Sequence, residues 1–239
     1  MDTVKFEKGE ARVVAHRGLS GIETENTNAA FVAAGNRTYY GIETDIHRTA
    51  DGRFVVCHDF DLVRVAGENI RVEDTTLDEL LSIALFDKDG TKSRGDLRLT
   101  TLENYVSICK KYGKHCVLEL KSDFTDEDIV NIVEIIKGYE YLDRVTFISF
   151  EFENLVKIRK LLPEQSVQSL FGKNVDFNTQ RAIEAKMDVD VDYRSLTEEI
   201  IKRVHEAGLK VNSWTVDKKE DAERLALWGV DYITTNILE

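Results

Sequence analysis

Eight apolar runs separated by helix-length segments constrain this chain more than any other feature. They end at His16, Asp45, Lys121, Phe150, Phe171, Tyr193, Val216 and Thr235. Between them lie segments that read as helices, over 29–34, 102–112, 126–137, 151–162, 178–185, 196–207 and 218–228. Asn26 or Thr27 is placed to cap the first, and Gly208 and Gly229 to stop the last two. Strands alternating with helices predict a parallel sheet. Eight such units in 239 residues favour an α/β fold closed into a (β/α)8 TIM barrel over an open, doubly wound sheet. Barrels of this kind place their chemistry at strand C-terminal ends, where the polar residues of this chain gather.

The second strand breaks the apolar pattern. In Gly41-Ile-Glu-Thr-Asp-Ile46, Ile42, Thr44 and Ile46 face one way, and Glu43 and Asp45 the other. Buried carboxylates are tolerated only when paired or bound to metal. Asp51-Gly52 is a strong hairpin signal. Val55–His58 is therefore read as an antiparallel return strand outside the eight, its connection being too short for a parallel crossover. A turn centred near Asp51 brings His58 back beside Glu43. Residues 60–98 are polar and mixed, with a helical piece from Thr76 to Leu81 and a turn-rich stretch from Asp87 to Gly95. They read as a small insertion in a single barrel domain spanning 1–239. Its Leu80, Leu81, Ile83, Leu85 and Phe86 are most simply a small core of its own.

Composition narrows the partners. A net charge of −12 disfavours nucleic acid and anionic membrane surfaces. An anionic substrate must then be drawn in by a metal or by particular Lys and Arg side chains. Cys57, Cys109 and Cys116 form no Cys-x-x-Cys and no even framework, so buried free thiols in a reducing compartment are expected. Residues 1–12 carry no apolar core for a signal peptide, and no run approaches transmembrane length. The expected location is cytoplasmic, although a chain trimmed of its leader would read the same. The oligomeric state is left open.

Glu119 and Lys121 repeat the pattern of Glu43 and Asp45, sharing one face of a strand whose other face is Leu118 and Leu120. His16-Arg17-Gly18 ends the first strand, and His58-Asp59 ends the hairpin. Taken singly, each histidine is as readily a hydrogen-bonded core residue. Together the set is three carboxylates, two histidines, an arginine and a lysine near strand ends. That composition suits phosphoester chemistry, with hard oxygen ligands for Ca²⁺ or Mg²⁺, cations for phosphoryl charge and imidazoles for proton transfer.

The motifs Ala15-His16-Arg17-Gly18, Glu25-Asn26-Thr27, Glu43-x-Asp45, Thr49-x-Asp51-Gly52, His58-Asp59, Leu118-Glu119-Leu-Lys121, Asn212-x-Trp214-Thr-Val216 and Gly229-Val-Asp231 occur in this order. From about residue 12 to 236 the chain resembles the glycerophosphodiester phosphodiesterases, a family of phospholipase-C-like barrels. The resemblance implies that His16 and His58 form the acid/base pair and that Arg17 binds the phosphoryl oxygens. It implies one divalent cation held by Glu43, Asp45 and Glu119, Lys121 on the phosphate, and Trp214 lining the substrate pocket. It also matches 60–98 to an insertion over the barrel mouth. Three positions depart from the family pattern: Thr24 stands where proline is usual, Asp217 where Asn is common, and Asn236 where Asp is common.

The expected function is metal-dependent hydrolysis of glycerophosphodiesters to sn-glycerol 3-phosphate and an alcohol, with room for a route through a cyclic phosphate. One alternative is the same chemistry on lysophospholipids. Another is a non-catalytic barrel that binds phosphodiester or metal, against which the two histidines argue. Few aromatic or long aliphatic side chains are expected at the mouth apart from Trp214 and the insertion, which favours small substrates.

Overall fold

The chain alternates strand and helix throughout the computed structural model, which describes residues 2–239. In chain order the first elements are β1 (Arg12–Ala15), α1 (Asn28–Gly35), β2 (Gly41–Arg48), β3 (Phe54–Val56), α2 (Val63–Ala66), α3 (Leu77–Ser82), β4 (Thr100–Thr101) and α4 (Leu102–Tyr112). Next come β5 (His115–Leu120), α5 (Asp126–Gly138), β6 (Val145–Ser149), α6 (Phe152–Leu161), β7 (Val167–Phe171) and α7 (Val175–Glu184). The last are β8 (Asp188–Asp192), α8 (Glu198–Glu206), β9 (Val211–Trp214), α9 (Lys219–Trp228) and β10 (Tyr232–Thr235).

Eight of the strands pair in parallel around a ring, β1-β2-β5-β6-β7-β8-β9-β10. The ring closes where Arg12–Ala15 runs beside Tyr232–Thr235. This is the (β/α)8 barrel expected from the spacing. β3 and β4 add antiparallel to the outside of β2, with Arg48 opposite Phe54 across the turn at Asp51-Gly52.

Local chemistry explains the helix limits. Thr27, rather than Asn26, caps α1, its hydroxyl accepting from the Ala30 amide at 3.2 Å. Leu102, Tyr105, Val106 and Cys109 put one buried stripe on α4, which begins at the Thr101 cap and stops at Gly113. Thr125 and Asp128 close a capping box on α5. Outward residues of the strands, such as Ile42, Ile46, Leu118 and Phe147, pack under these helices in the main core. Val14, Val117, Ile148 and Leu170 fill the barrel interior. All three cysteines are buried and free.

Residues 60–98 pack on a second, smaller core in which Leu62, Ala66, Leu77, Leu80, Leu85 and Leu97 meet Val55 and Cys57. Leu81 and Ile83 pack against it from the edge. The insertion's apolar set is thus consumed internally, apart from Phe86, which lies over Gly67. Among the described residues no helix is long and apolar enough to cross a membrane.

Candidate active site

Strand register brings the carboxylates together. β2 and β5 pair with Asp45 opposite Glu119, and Glu43 lies two residues back on the same face. Carboxylate oxygens of Glu43, Asp45 and Glu119 all lie within 4.8 Å of one another, and all three residues are buried. Lys121 Nζ is 2.9 Å from Glu119 Oε1 and 3.6 Å from Asp45 Oδ1. Asn26 Nδ2 donates to Asp45 Oδ2 at 2.8 Å, its own carbonyl accepting from Thr44 Oγ1.

The electrostatics are those of a cation site. Burial, then the charges of Asp45 and Glu119, holds Glu43 well above the usual carboxylate range. Burial and Asp45 push Glu119 up to about 8, against the pull of Lys121. Burial also opposes the charge on Asp45, but Arg17 and Lys121 outweigh it and keep that carboxyl low. Asp45 Oδ1 has no hydrogen-bond partner. Three hard oxygen donors in one buried cluster, mutually repelling and with one orphaned oxygen, fit a divalent cation.

His16 and Arg17 reach this cluster through a turn that needs its glycine. Gly18 has φ +77°, and a Cβ there would sit 2.7 Å from the Ala30 carbonyl carbon. Arg17 is also left-handed, at φ +54°. That conformation aims its amide at Glu43 Oε2, 2.8 Å away. Its guanidinium donates to Glu25 Oε1 at 2.8 Å and lies 3.6 Å from Asp45 Oδ2, while its buried Nε finds no protein acceptor. Such a donor is placed for an anionic oxygen. His16 Nδ1 is 2.8 Å from Asn236 Oδ1, and its Nε2 faces Glu43 Oε2 at 3.9 Å. Burial, then the Arg17 charge, brings His16 down to about 4, so the ring is neutral at pH 7.

The hairpin delivers His58 as its sequence implied. The Cys57 amide bonds to the Asp45 carbonyl at 3.1 Å, which turns the next residue over the strand end. His58 Nδ1 then pairs with Asp59 Oδ1 at 2.7 Å. His16, Arg17, Glu43, His58, Glu119 and Trp214 line one cavity of about 70 Å³ with Phe150 and Asp190. Asp45 and Lys121 join it through their ion pairs to Arg17 and Glu119. All eight residues singled out in the sequence therefore converge.

Several neighbours named in the sequence were given no role in the site there: Glu25, Asn26, Asp59, Asn236 and Phe150. A larger cleft of about 470 Å³ shares Phe150, Leu170 and Trp214 with the first and adds Phe152, Phe171 and Lys173. Phe150 stands edge-on to Trp214, with centroids 5.7 Å apart. The expectation of a mouth poor in aromatics is thus corrected. Phe150 follows β6, Phe171 ends β7 and Phe152 begins α6, so all three stand at the C-terminal face of the barrel beside Trp214.

A sequence model of the "Glycerophosphoryl diester phosphodiesterase family" matches residues 16–239. A glycerophosphodiester phosphodiesterase of Caldanaerobacter subterraneus subsp. tengcongensis is 32% identical over 228 residues, covering 94% of this chain and 93% of the relative. One from Bacillus subtilis is 29% identical, covering 93% of this chain and 82% of its own length. Among solved structures, an Oleispira antarctica phosphodiesterase in complex with the product sn-glycerol-3-phosphate superposes with a TM-score of 0.87. It is 25% identical and covers 94% of this chain and 92% of its own. A glycerophosphodiester phosphodiesterase from Parabacteroides distasonis gives a TM-score of 0.81 at 29% identity, covering 96% and 94%. In sequence, in motif order and in barrel architecture alike, the chain belongs to the glycerophosphoryl diester phosphodiesterase family and is a phosphodiester hydrolase.

Proposed function

We propose that this enzyme hydrolyses glycerophosphodiesters to sn-glycerol 3-phosphate and an alcohol with the help of one divalent cation, Ca²⁺ or Mg²⁺. Glu43, Asp45 and Glu119 hold the cation, which supplies Lewis-acid stabilisation of phosphoryl charge. Arg17 and Lys121 bind the phosphate oxygens. His16 is the base. Asn236 presents only a carbonyl oxygen to its Nδ1, so that nitrogen carries the proton and Nε2 keeps its lone pair. His58 is the acid, paired through Nδ1 with the Asp59 carboxylate; burial holds its ring below the ordinary imidazole value, and Asp45 and Asp59 oppose that shift.

In the first step a hydroxyl of the glycerol moiety attacks phosphorus. His16 takes its proton while His58 protonates the departing alcohol oxygen, leaving a cyclic phosphate. Water then opens the ring, with His58 taking the water's proton and His16 returning its own to the ring oxygen. The observation that carries this reading is the single cavity onto which two histidines from different strands, Arg17 and two of the three carboxylates open. The test is turnover of chelator-treated protein on a panel of glycerophosphodiesters and lysophospholipids, with Ca²⁺ or Mg²⁺ added back. Release of sn-glycerol 3-phosphate only with metal supports the reading, and metal-independent turnover overturns it.

The aromatic cleft favours a second reading on the alcohol side. Phe150, Phe152 and Phe171 give an extended leaving group apolar contact, so lysophospholipids belong on the panel. The rim residues Lys173, Asn174 and Asn178 are polar, and we rank compact head groups first. A higher kcat/KM on a lysophospholipid reverses that order.

A further inference from the structure

We propose that Arg64 is a positioning residue that makes His58 and Arg17 act as one unit, by holding Asp59 and Glu25 simultaneously. This rests on the roles given above to His58 and Arg17. Arg64 lies in α2, outside the barrel, with half of its side chain exposed. Yet all three of its guanidinium nitrogens are engaged. Nε donates to Asp59 Oδ2 at 2.7 Å, Nη1 to Glu25 Oε2 at 2.9 Å and Nη2 to Glu25 Oε1 at 2.7 Å. Asp59 holds His58 at 2.7 Å and Glu25 holds Arg17 at 2.8 Å. The line His58–Asp59–Arg64–Glu25–Arg17 therefore starts and finishes at the reacting centre.

Exposed ion pairs add little to stability unless they are bidentate or networked, as these are, so Tm is read beside activity to separate bracing from positioning. The geometry of the network excludes substitution by lysine, because only a planar fork grips one carboxylate bidentately and a second along its Nε edge. The insertion holds the fork in place. Leu62 and Ala66, on either side of Arg64, are buried in the smaller core. Phe86 donates its amide to the Val65 carbonyl at 2.9 Å, and its carbonyl accepts from Thr24 Oγ1 at 3.0 Å, beside Glu25. The same insertion residues thus fix α2 and the Glu25 loop relative to one another. On this reading the insertion supports the acid and the phosphate clamp together.

The test compares Arg64→Ala and Arg64→Lys with Asp59→Asn, Glu25→Gln and the double variant Arg64→Ala/Asp59→Asn, all metal-loaded, on glycerophosphocholine. Removing partners that orient metal ligands costs about 10–100-fold in activity, and a loss of that order is expected for partners that orient His58 and Arg17. Arg64→Ala is expected to lose about that in kcat/KM, by lowering kcat and raising KM together. Asp59→Asn should act mainly on kcat and Glu25→Gln mainly on KM. Arg64→Lys should remain impaired, millimolar methylguanidine should partly rescue Arg64→Ala, and the double variant should lose less than the product of its singles. Tm and metal affinity should stay near those of the parent. Arg64→Ala within about twofold of the parent, a loss tracking Tm or metal affinity, or full additivity with Asp59→Asn each overturns the proposal. His58→Ala and Arg17→Ala run alongside. If either retains parental turnover, the fault lies in the underlying reading rather than in the Arg64 link.

Discussion

Asp217, just after β9, and Asn236, just after β10, hydrogen-bond to one another. Asp217 Oδ2 accepts from Asn236 Nδ2 at 2.6 Å, and Oδ1 accepts from the Asn236 backbone N–H at 2.8 Å. The carboxylate therefore fixes which way the Asn236 amide points. Its oxygen is left facing His16 Nδ1 at 2.8 Å and Ser20 Oγ at 2.6 Å.

Asn236→Asp should set two carboxylates against each other at hydrogen-bond distance. We expect kcat to fall about 10–100-fold, as for other outer-partner changes. Asp217→Asn added to it should restore a donor–acceptor pair and recover most of the loss. Steady-state kinetics of the two variants decide it, and a double variant no better than the single would sink the idea.

The base and acid assignments differ in their dependence on the leaving group. General acid–base catalysis contributes about 10²–10⁴-fold per group, so His16→Ala and His58→Ala should each cost about that on an alkyl diester. A p-nitrophenyl leaving group departs without a proton. On such a diester the loss in His58→Ala should shrink at least tenfold while that in His16→Ala persists. The opposite pattern would exchange the two roles.

The barrel and its inner site were legible because both follow the strand period of two. Seven of the eight expected strand ends fall within two residues of those found, and β2 runs on to Arg48 because its hairpin extends the ladder. Glu43, Asp45, Glu119 and Lys121 could be placed on one face by alternation alone. Helix α7 begins at Val175 rather than near 178, since its cap is a left-handed Asn174 with no side-chain cap bond. Glu25, Asp59, Arg64 and Asn236 belong to turns or a four-residue helix, where no period links sequence position to direction. Their convergence depends on tertiary contacts.

His115, at the opposite end of the barrel from the site, should make stability fall with acid. It stacks on Tyr40, bonds to Thr146 at 2.9 Å, and has Tyr232, Arg12, Lys210, Arg144 and Asp143 around it. Burial first, then the Arg144 and Arg12 charges, brings it from 6.5 down to about 4, with Asp143 opposing. Between those values the unfolded chain binds a proton that the folded chain refuses. Stability is therefore fully present above pH ~6.5 and is lost as pH falls toward ~4. Between pH 7 and pH 5 the loss is about 2 kcal/mol. His115→Gln keeps a donor for Thr146 and does not titrate. In urea unfolding its pH 7-to-5 loss should be smaller than the parent's by about that amount, and an equal loss would refute the assignment.

Gly172 offers a direct test of the aromatic cleft as the alcohol subsite. A Cβ there would lie 3.1 Å from Asp192 Cβ and 3.8 Å from Trp214 Cζ2. The side chain of Gly172→Val presses first on Asp192, which must give by a few tenths of an ångström, and on Trp214 of the cleft wall; His16, His58 and the three carboxylates do not line that cleft. Methyl and ethyl esters of glycerophosphate leave that space empty, so their kcat/KM should stay within about twofold. Glycerophosphocholine and a lysophospholipid must share the space with the new side chain. One methylene gained or lost in an apolar pocket is worth about 1–3 kcal/mol, or about 10–200-fold. Their kcat/KM should fall by an amount in that range, and most for the lysophospholipid. A uniform loss across all four substrates would mean that Gly172→Val disturbs the phosphate site instead, and the alcohol would then have to leave by another side of the mouth.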